Sequence, residues 1–176
     1  GVERLGKYGV EGATLLISRG FAVTKLFELA NENKASTEQA NALLDALIAY
    51  EALPEVSLTS SHIARYREVG TLRAGAHLMG IYQSLPAEDR DLKLDAFNGA
   101  ESIFSSLPEG TDKGAMANSV RPLMKSTDPD DRWYAITTLL KLDGEKAMDS
   151  AWESLLDDGV YTNGLIDPLK SIVDFC

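Results

Sequence analysis

Glu145, Asp149, Glu153 and Asp157 recur at four-residue intervals. On an α-helix this spacing stacks the four carboxylates in one ridge, because residues i and i+4 share a face. Like charges so placed repel by about 0.2–0.5 kcal/mol per pair, and only Lys141 and Lys146 lie close in sequence to offset them. Such a ridge is either the solvated face of an acidic helix or a docking surface for a basic partner. The two tryptophans, Trp133 and Trp152, fall in the same stretch. Trp152 lies on the apolar stripe of that helix and is expected in the core. Either Trp133 or its neighbour Tyr134 is expected at the surface as an aromatic anchor, since aromatic side chains are enriched at interfaces. The candidate partner-binding residues are therefore Glu145, Asp149, Glu153, Asp157 and Trp133.

Other residue types that could do chemistry lack the spacing it requires. Gly6, Gly9 and Gly12 are three apart, which matches neither a dinucleotide fingerprint nor a phosphate-binding loop. His62 and His77 have no cysteine partner and no H-E-x-x-H frame. His62, in Ser60-Ser61-His62, reads as a capping or surface residue, and His77 as a packed or partly exposed one. Asp128-Pro129-Asp130-Asp131 has the acid density of a calcium loop. It lacks the glycine required at the sixth position, and Leu139 stands at the twelfth, where the acid belongs. No G-x-S-x-G elbow is present, and Cys176 is the sole cysteine. Catalytic residues, metal ligands and a cofactor are not assigned, and enzymatic activity is not expected.

The composition fits a folded chain. Of 176 residues, 44% are hydrophobic and 25% charged, close to ordinary globular usage and enough for a substantial core. The net charge of −10 opposes binding to nucleic-acid phosphates and anionic headgroups, so neither is an expected partner. Arg65, Arg67 and Arg73 are too few, beside Glu68, to make a basic patch. One cysteine permits no internal disulfide, which suits a reducing compartment. No apolar run is long enough to span a membrane, and a cytoplasmic setting is the expectation. The chain begins with Gly1, and it is expected to be processed or to be a fragment of a longer protein.

Helical periodicity runs through nearly the whole length. Ala40, Leu43, Leu44, Leu47 and Ile48 fall at i, i+3, i+4, i+7 and i+8, the signature of one helix face. Ala96, Phe97, Ala100, Ile103, Phe104 and Leu107 repeat it, as do Ala147, Met148, Ala151, Trp152, Leu155 and Leu156. Leu165, Ile166, Leu169, Ile172 and Val173 do so again. Ser36 followed three residues later by Gln39 is a capping box. Asp128-Pro129 and Asp167-Pro168 place an aspartate N-cap before a proline at the first helical position. Glycines, prolines and Asn/Asp clusters between the stripes predict about ten short helices. Their starts are expected near residues 9, 21, 37, 59, 71, 88, 112, 130, 145 and 160. No linker divides the chain, so residues 1–176 are read as a single domain, with neighbouring helices joined by short connections into antiparallel hairpins.

The stretch from Asp128 to Asp158 resembles a short HEAT-like repeat of the kind found in bilin-lyase-related and scaffold proteins. Asp128-Pro129-Asp130 precedes the first helix, Ala135, Ile136, Leu139 and Leu140 line it, and Asp143-Gly144 makes the turn. Ala147, Leu155 and Leu156 belong to the second helix, and Asp157-Asp158 to its end. The family's usual Val-Arg pair is replaced by Arg132-Trp133. Gly20 to Leu29 is similar to an armadillo-type helix. Ala96, Ala100 and Pro108 have spacing suited to a tetratricopeptide repeat, without the rest of that signature. The resemblance implies an all-α, right-handed α-solenoid of HEAT or armadillo type, built from helix pairs that bury their stripes by stacking. It further implies a protein-interaction module, an adaptor or scaffold that binds a protein or peptide partner. The alternatives are a bilin-lyase-related cofactor-attachment factor, which the resemblance implies but for which no convergent set of polar pocket residues is found, and an acidic inhibitor or immunity-type protein that neutralises a basic enzyme, which the small size and acidity of the chain suggest.

Overall fold

Local capping chemistry sets where each helix starts in the computed structural model, which describes residues 36–149 and Trp152. Helix α1 (Thr37–Glu51) opens with the expected capping box: the Ser36 N–H donates to Gln39 Oε1 at 2.9 Å, and the Gln39 N–H donates to Ser36 Oγ at 3.3 Å. These bonds satisfy N–H groups that the first helical turn cannot pair internally. Helix α2 (Ser60–Val69) ends at Gly70, whose φ of 66° lies in the left-handed region that favours glycine. Thr71 then caps α3 (Leu72–Ser84), its Oγ1 accepting the Ala74 N–H at 3.2 Å. Helix α4 (Arg90–Ser106) closes the first of the two compact units into which the chain divides, Gly1–Leu107 and Pro108–Cys176.

Within the first unit, α4 packs on both α2 and α3, and α1 packs on the same two helices. The apolar stripes predict the buried faces. Leu43, Leu44 and Leu47 of α1 and Ala96, Phe97, Ala100, Ile103 and Phe104 of α4 are all buried, while Ala40, Ile48 and Leu107 at the stripe edges are half-buried. The α3–α4 contact depends on a residue with no side chain. A Cβ at Gly75 would lie 2.5 Å from Phe104 Cε1, so the ring of Phe104 fills the space above Gly75.

The second unit is organised around α6 (Pro129–Asp143), against which α5 (Gly114–Val120) and two 3-10 turns, Arg121–Lys125 and Gly144–Ala147, all pack. Asp128 caps α6 through the Asp130 N–H at 2.9 Å, with Pro129 in the first turn, as its sequence predicts. The burial of α6 is wider than one stripe. Every residue from Tyr134 to Leu140 is buried, Thr137 and Thr138 included. A helix enclosed on several sides no longer shows a polar face. Thr137 meets this by donating its hydroxyl to the Trp133 carbonyl at 2.8 Å. Thr138 is 0% exposed, and its Oγ1 has no hydrogen-bond partner among the described residues. An orphaned buried hydroxyl destabilises the fold, so Thr138→Val, which keeps the shape, should stabilise the unit by about 1 kcal/mol. The readout is a higher urea midpoint at unchanged m-value; a lower midpoint would show that the hydroxyl is satisfied.

In all, the described residues hold six α-helices, two 3-10 turns and no strand. The α-helices begin at 37, 60, 72, 90, 114 and 129, within two residues of the expected starts. Near 145 the helix is delayed. Gly144–Ala147 forms a 3-10 turn, and α-helical geometry resumes at Met148. The helices expected at 9, 21 and 160 lie outside the described residues, as do Ala151, Leu155 and Ile172 of the expected core. No helix among the described residues is long and apolar enough to cross a membrane.

Candidate functional site

The second unit carries the expected acidic and aromatic residues, in an altered arrangement. Glu145 stands on the 3-10 turn, Asp149 on the α-helical stretch after it, and both are exposed. A 3-10 turn holds 3.0 residues per turn instead of 3.6, so Glu145 and Asp149 are not stacked as on one continuous α-helix. Glu153 and Asp157 lie outside the described residues. Trp133 is half-buried, its ring centroid 4.6 Å from that of Tyr134, which is buried. Neither ring of this pair is an exposed anchor.

Trp152, which its apolar stripe predicts in the core, is instead 41% exposed. Burial falls off along the described part of the stripe: Ala147 is fully buried, Met148 half-buried and Trp152 exposed. Exposed Asp149 precedes Trp152 by three residues, a spacing that on an α-helix puts both on one face. The stretch therefore offers water a large aromatic side chain and a carboxylate close to it in sequence. Periodicity gives the direction of a stripe but not how far along it burial extends.

The acids Asp128 to Asp131 are largely engaged in folding the start of α6. Asp128 caps the helix, and Asp131 Oδ2 accepts the Ser126 hydroxyl at 2.9 Å. Arg132, in the place where the HEAT-like pattern is disturbed, is buried and donates from Nη1 to the Ser126 carbonyl at 2.8 Å. Arg121 Nη2 lies 2.5 Å from Asp143 Oδ2, tying the first 3-10 turn to the end of α6. Among the described residues, no cluster of three His, Cys, Asp or Glu side chains could hold a metal ion.

The first unit contains a polar cluster that no local spacing announces. Tyr66, on α2, is fully buried and donates its hydroxyl to Glu51 Oε2, at the end of α1. The second oxygen, Glu51 Oε1, is buried and has no hydrogen-bond partner among the described residues. Burial pushes the Glu51 carboxyl above its ordinary range, against the opposing pull of the Tyr66 bond and the Arg65 charge. Burial also pushes the Tyr66 phenol up, and Glu51 adds to the effect. His77 of α3 meets the Tyr66 ring edge-on, with centroids 4.6 Å apart. Two further bridges tie α1 to α3 and its cap: Thr71 Oγ1 donates to Asn41 Oδ1 at 2.8 Å, and Arg73 pairs with Asp45 at 2.5 Å.

His62 is the capping residue its position suggests. Its Nδ1 accepts the Thr59 N–H at 3.1 Å, an arrangement that requires an unprotonated Nδ1. Burial holds the imidazoles of both His62 and His77 below the usual 6.5, with Arg65 and Arg73 respectively adding to it. A histidine whose pKa is lowered by folding takes up its proton more readily when unfolded. Its contribution is thus full above pH 6.5 and is lost as pH falls through the lowered folded value. Urea unfolding should show stability declining below pH 6.5, and His77→Gln should flatten the decline; an unchanged slope would assign it to other groups.

No protein-family model, curated protein or solved structure matches this chain.

Proposed function

We propose that this chain is a protein-interaction module, an adaptor or scaffold built as a right-handed α-solenoid of HEAT or armadillo type, that binds a protein or peptide partner of basic character. The observation that carries this reading is the exposure of Trp152, three residues after exposed Asp149 and with exposed Glu145 further upstream. A large aromatic side chain in water forgoes the stabilisation that its burial would bring. When a partner covers it, that stabilisation is recovered at the interface, and tryptophan is among the residues that dominate binding energy. The carboxylates beside it favour a cationic partner and speed its approach. The net charge of −10 acts in the same direction over longer range.

The test places a photo-crosslinking amino acid at position 152 of the full chain, with position 94 as control; Leu94 is another exposed apolar residue, in the first unit. Crosslinking in the native source should yield one basic partner from position 152 and not from 94. Binding of that purified partner should then weaken about thirtyfold in Trp152→Ser, equivalent to roughly 2 kcal/mol for a central interface tryptophan. Asp149→Lys should slow association at low salt and leave the fold intact. Equal capture at both positions, or affinities within twofold of the parent in both variants, would overturn the reading.

A further inference from the structure

Glu51 is the last residue of α1, and its side chain reaches Tyr66 on the neighbouring helix. One carboxylate oxygen accepts the Tyr66 hydroxyl; the other is shut off from solvent with no donor among the described residues. An anion so placed has lost most of its hydration and regained a single hydrogen bond, a costly state for a charge. A neutral acid in the same place leaves only a weak carbonyl or hydroxyl unsatisfied, at far smaller cost. The charged acid also has a way out. Glu51 is half-buried at a helix terminus, followed by exposed Ala52, and Arg65 stands half-exposed on α2, one residue before Tyr66.

We propose that Glu51 and Tyr66 form a proton-operated latch between α1 and α2, closed while Glu51 carries a proton and released, with the carboxylate turning out to Arg65, when the proton leaves.

The surrounding groups fit this switch. From α1, Asp45 is already engaged with Arg73. From α2, Arg65 is the cation that acts on Glu51, and His62 is committed to the Thr59 cap. From α3, His77 packs on Tyr66, and its proton affinity is lowered by burial, so it supplies no counter-charge at neutral pH. From α4, apolar groups meet these helices at Gly99, beside Leu78 and Ile63, and at Phe104, beside Gly75. A carboxyl with a raised folded-state pKa favours the closed form fully below its ordinary 4.5, and that advantage is lost as pH rises through the raised value. The latch therefore opens with rising pH.

Carbon-13 NMR of the full chain, labelled at glutamate side-chain carboxyls and tyrosine ring ζ-carbons, tests this directly. Expected in the parent protein are a Glu51 midpoint above 4.5 and a Tyr66 shift that follows the same midpoint. Arg65→Gln, a change on the half-exposed side of α2, should raise that midpoint further, because Arg65 stabilises the anion. Glu51→Gln should abolish the Tyr66 response at that pH, and His77→Gln should preserve it. A Glu51 midpoint at or below 4.5 would overturn the latch. So would a Tyr66 response that survives Glu51→Gln, which would trace to His77, or a midpoint unmoved by Arg65→Gln.

Discussion

Phe104→Ala should cost the first unit about 3–5 kcal/mol, the range for deleting a buried aromatic ring. Phe104 is 1% exposed, and its ring lies over Gly75 of α3, at the most extensive contact between described helices of the unit. The reverse change is also harmful. Gly75→Ala brings a methyl group to 2.5 Å from the ring, and overpacking of a close-packed core costs about 1–3 kcal/mol. Alanine's better helix propensity returns roughly 0.5–1 kcal/mol of that. The two changes should not add. With the ring gone, the new methyl group enters the space the ring has left, so the double variant should be more stable than the sum of the singles by about 0.5–3 kcal/mol. Urea unfolding of the four proteins in the cycle measures this. Additivity within about 0.3–0.5 kcal/mol would show that the glycine and the ring are not packed as described.

Leu139→Ala should have a comparable effect on the second unit, about 2–5 kcal/mol. Leu139 is 0% exposed, at the middle of a helix enclosed by α5 and both 3-10 turns. Its surroundings are held by elements on several sides, which limits how far they can collapse into the cavity and places the loss in the upper half of that range. Glu145→Ala, an exposed change on the adjoining turn, is the control and should stay within about 0.5 kcal/mol of the parent. A Leu139→Ala loss as small as the control's would mean that α6 is not the centre of its unit.

What could be read in the sequence and what could not divide along a physical line. The starts of α1 and α6 come from Ser36 with Gln39 and from Asp128 with Pro129, because a cap acts between residues two or three apart and needs no distant partner. The buried faces of α1 and α4 come from the 3.6-residue period, since a stripe on a helix has one direction to bury. The same period failed at Trp152, which lies beyond the 3-10 turn at Gly144–Ala147 and is exposed to water. It also failed to anticipate the polar residues Thr137 and Thr138 inside α6, because enclosure depends on how many elements gather round a helix. Glu51 and Tyr66 are fifteen residues apart and on different helices. Each is ordinary in its own segment, and only the packing of α1 against α2 takes water away from the pair. Short-range hydrogen bonding and periodicity were written in the order of the residues; desolvation, and with it the perturbed groups Glu51, Tyr66, His62 and His77, was decided by the tertiary structure, because burial is a property of what surrounds a side chain.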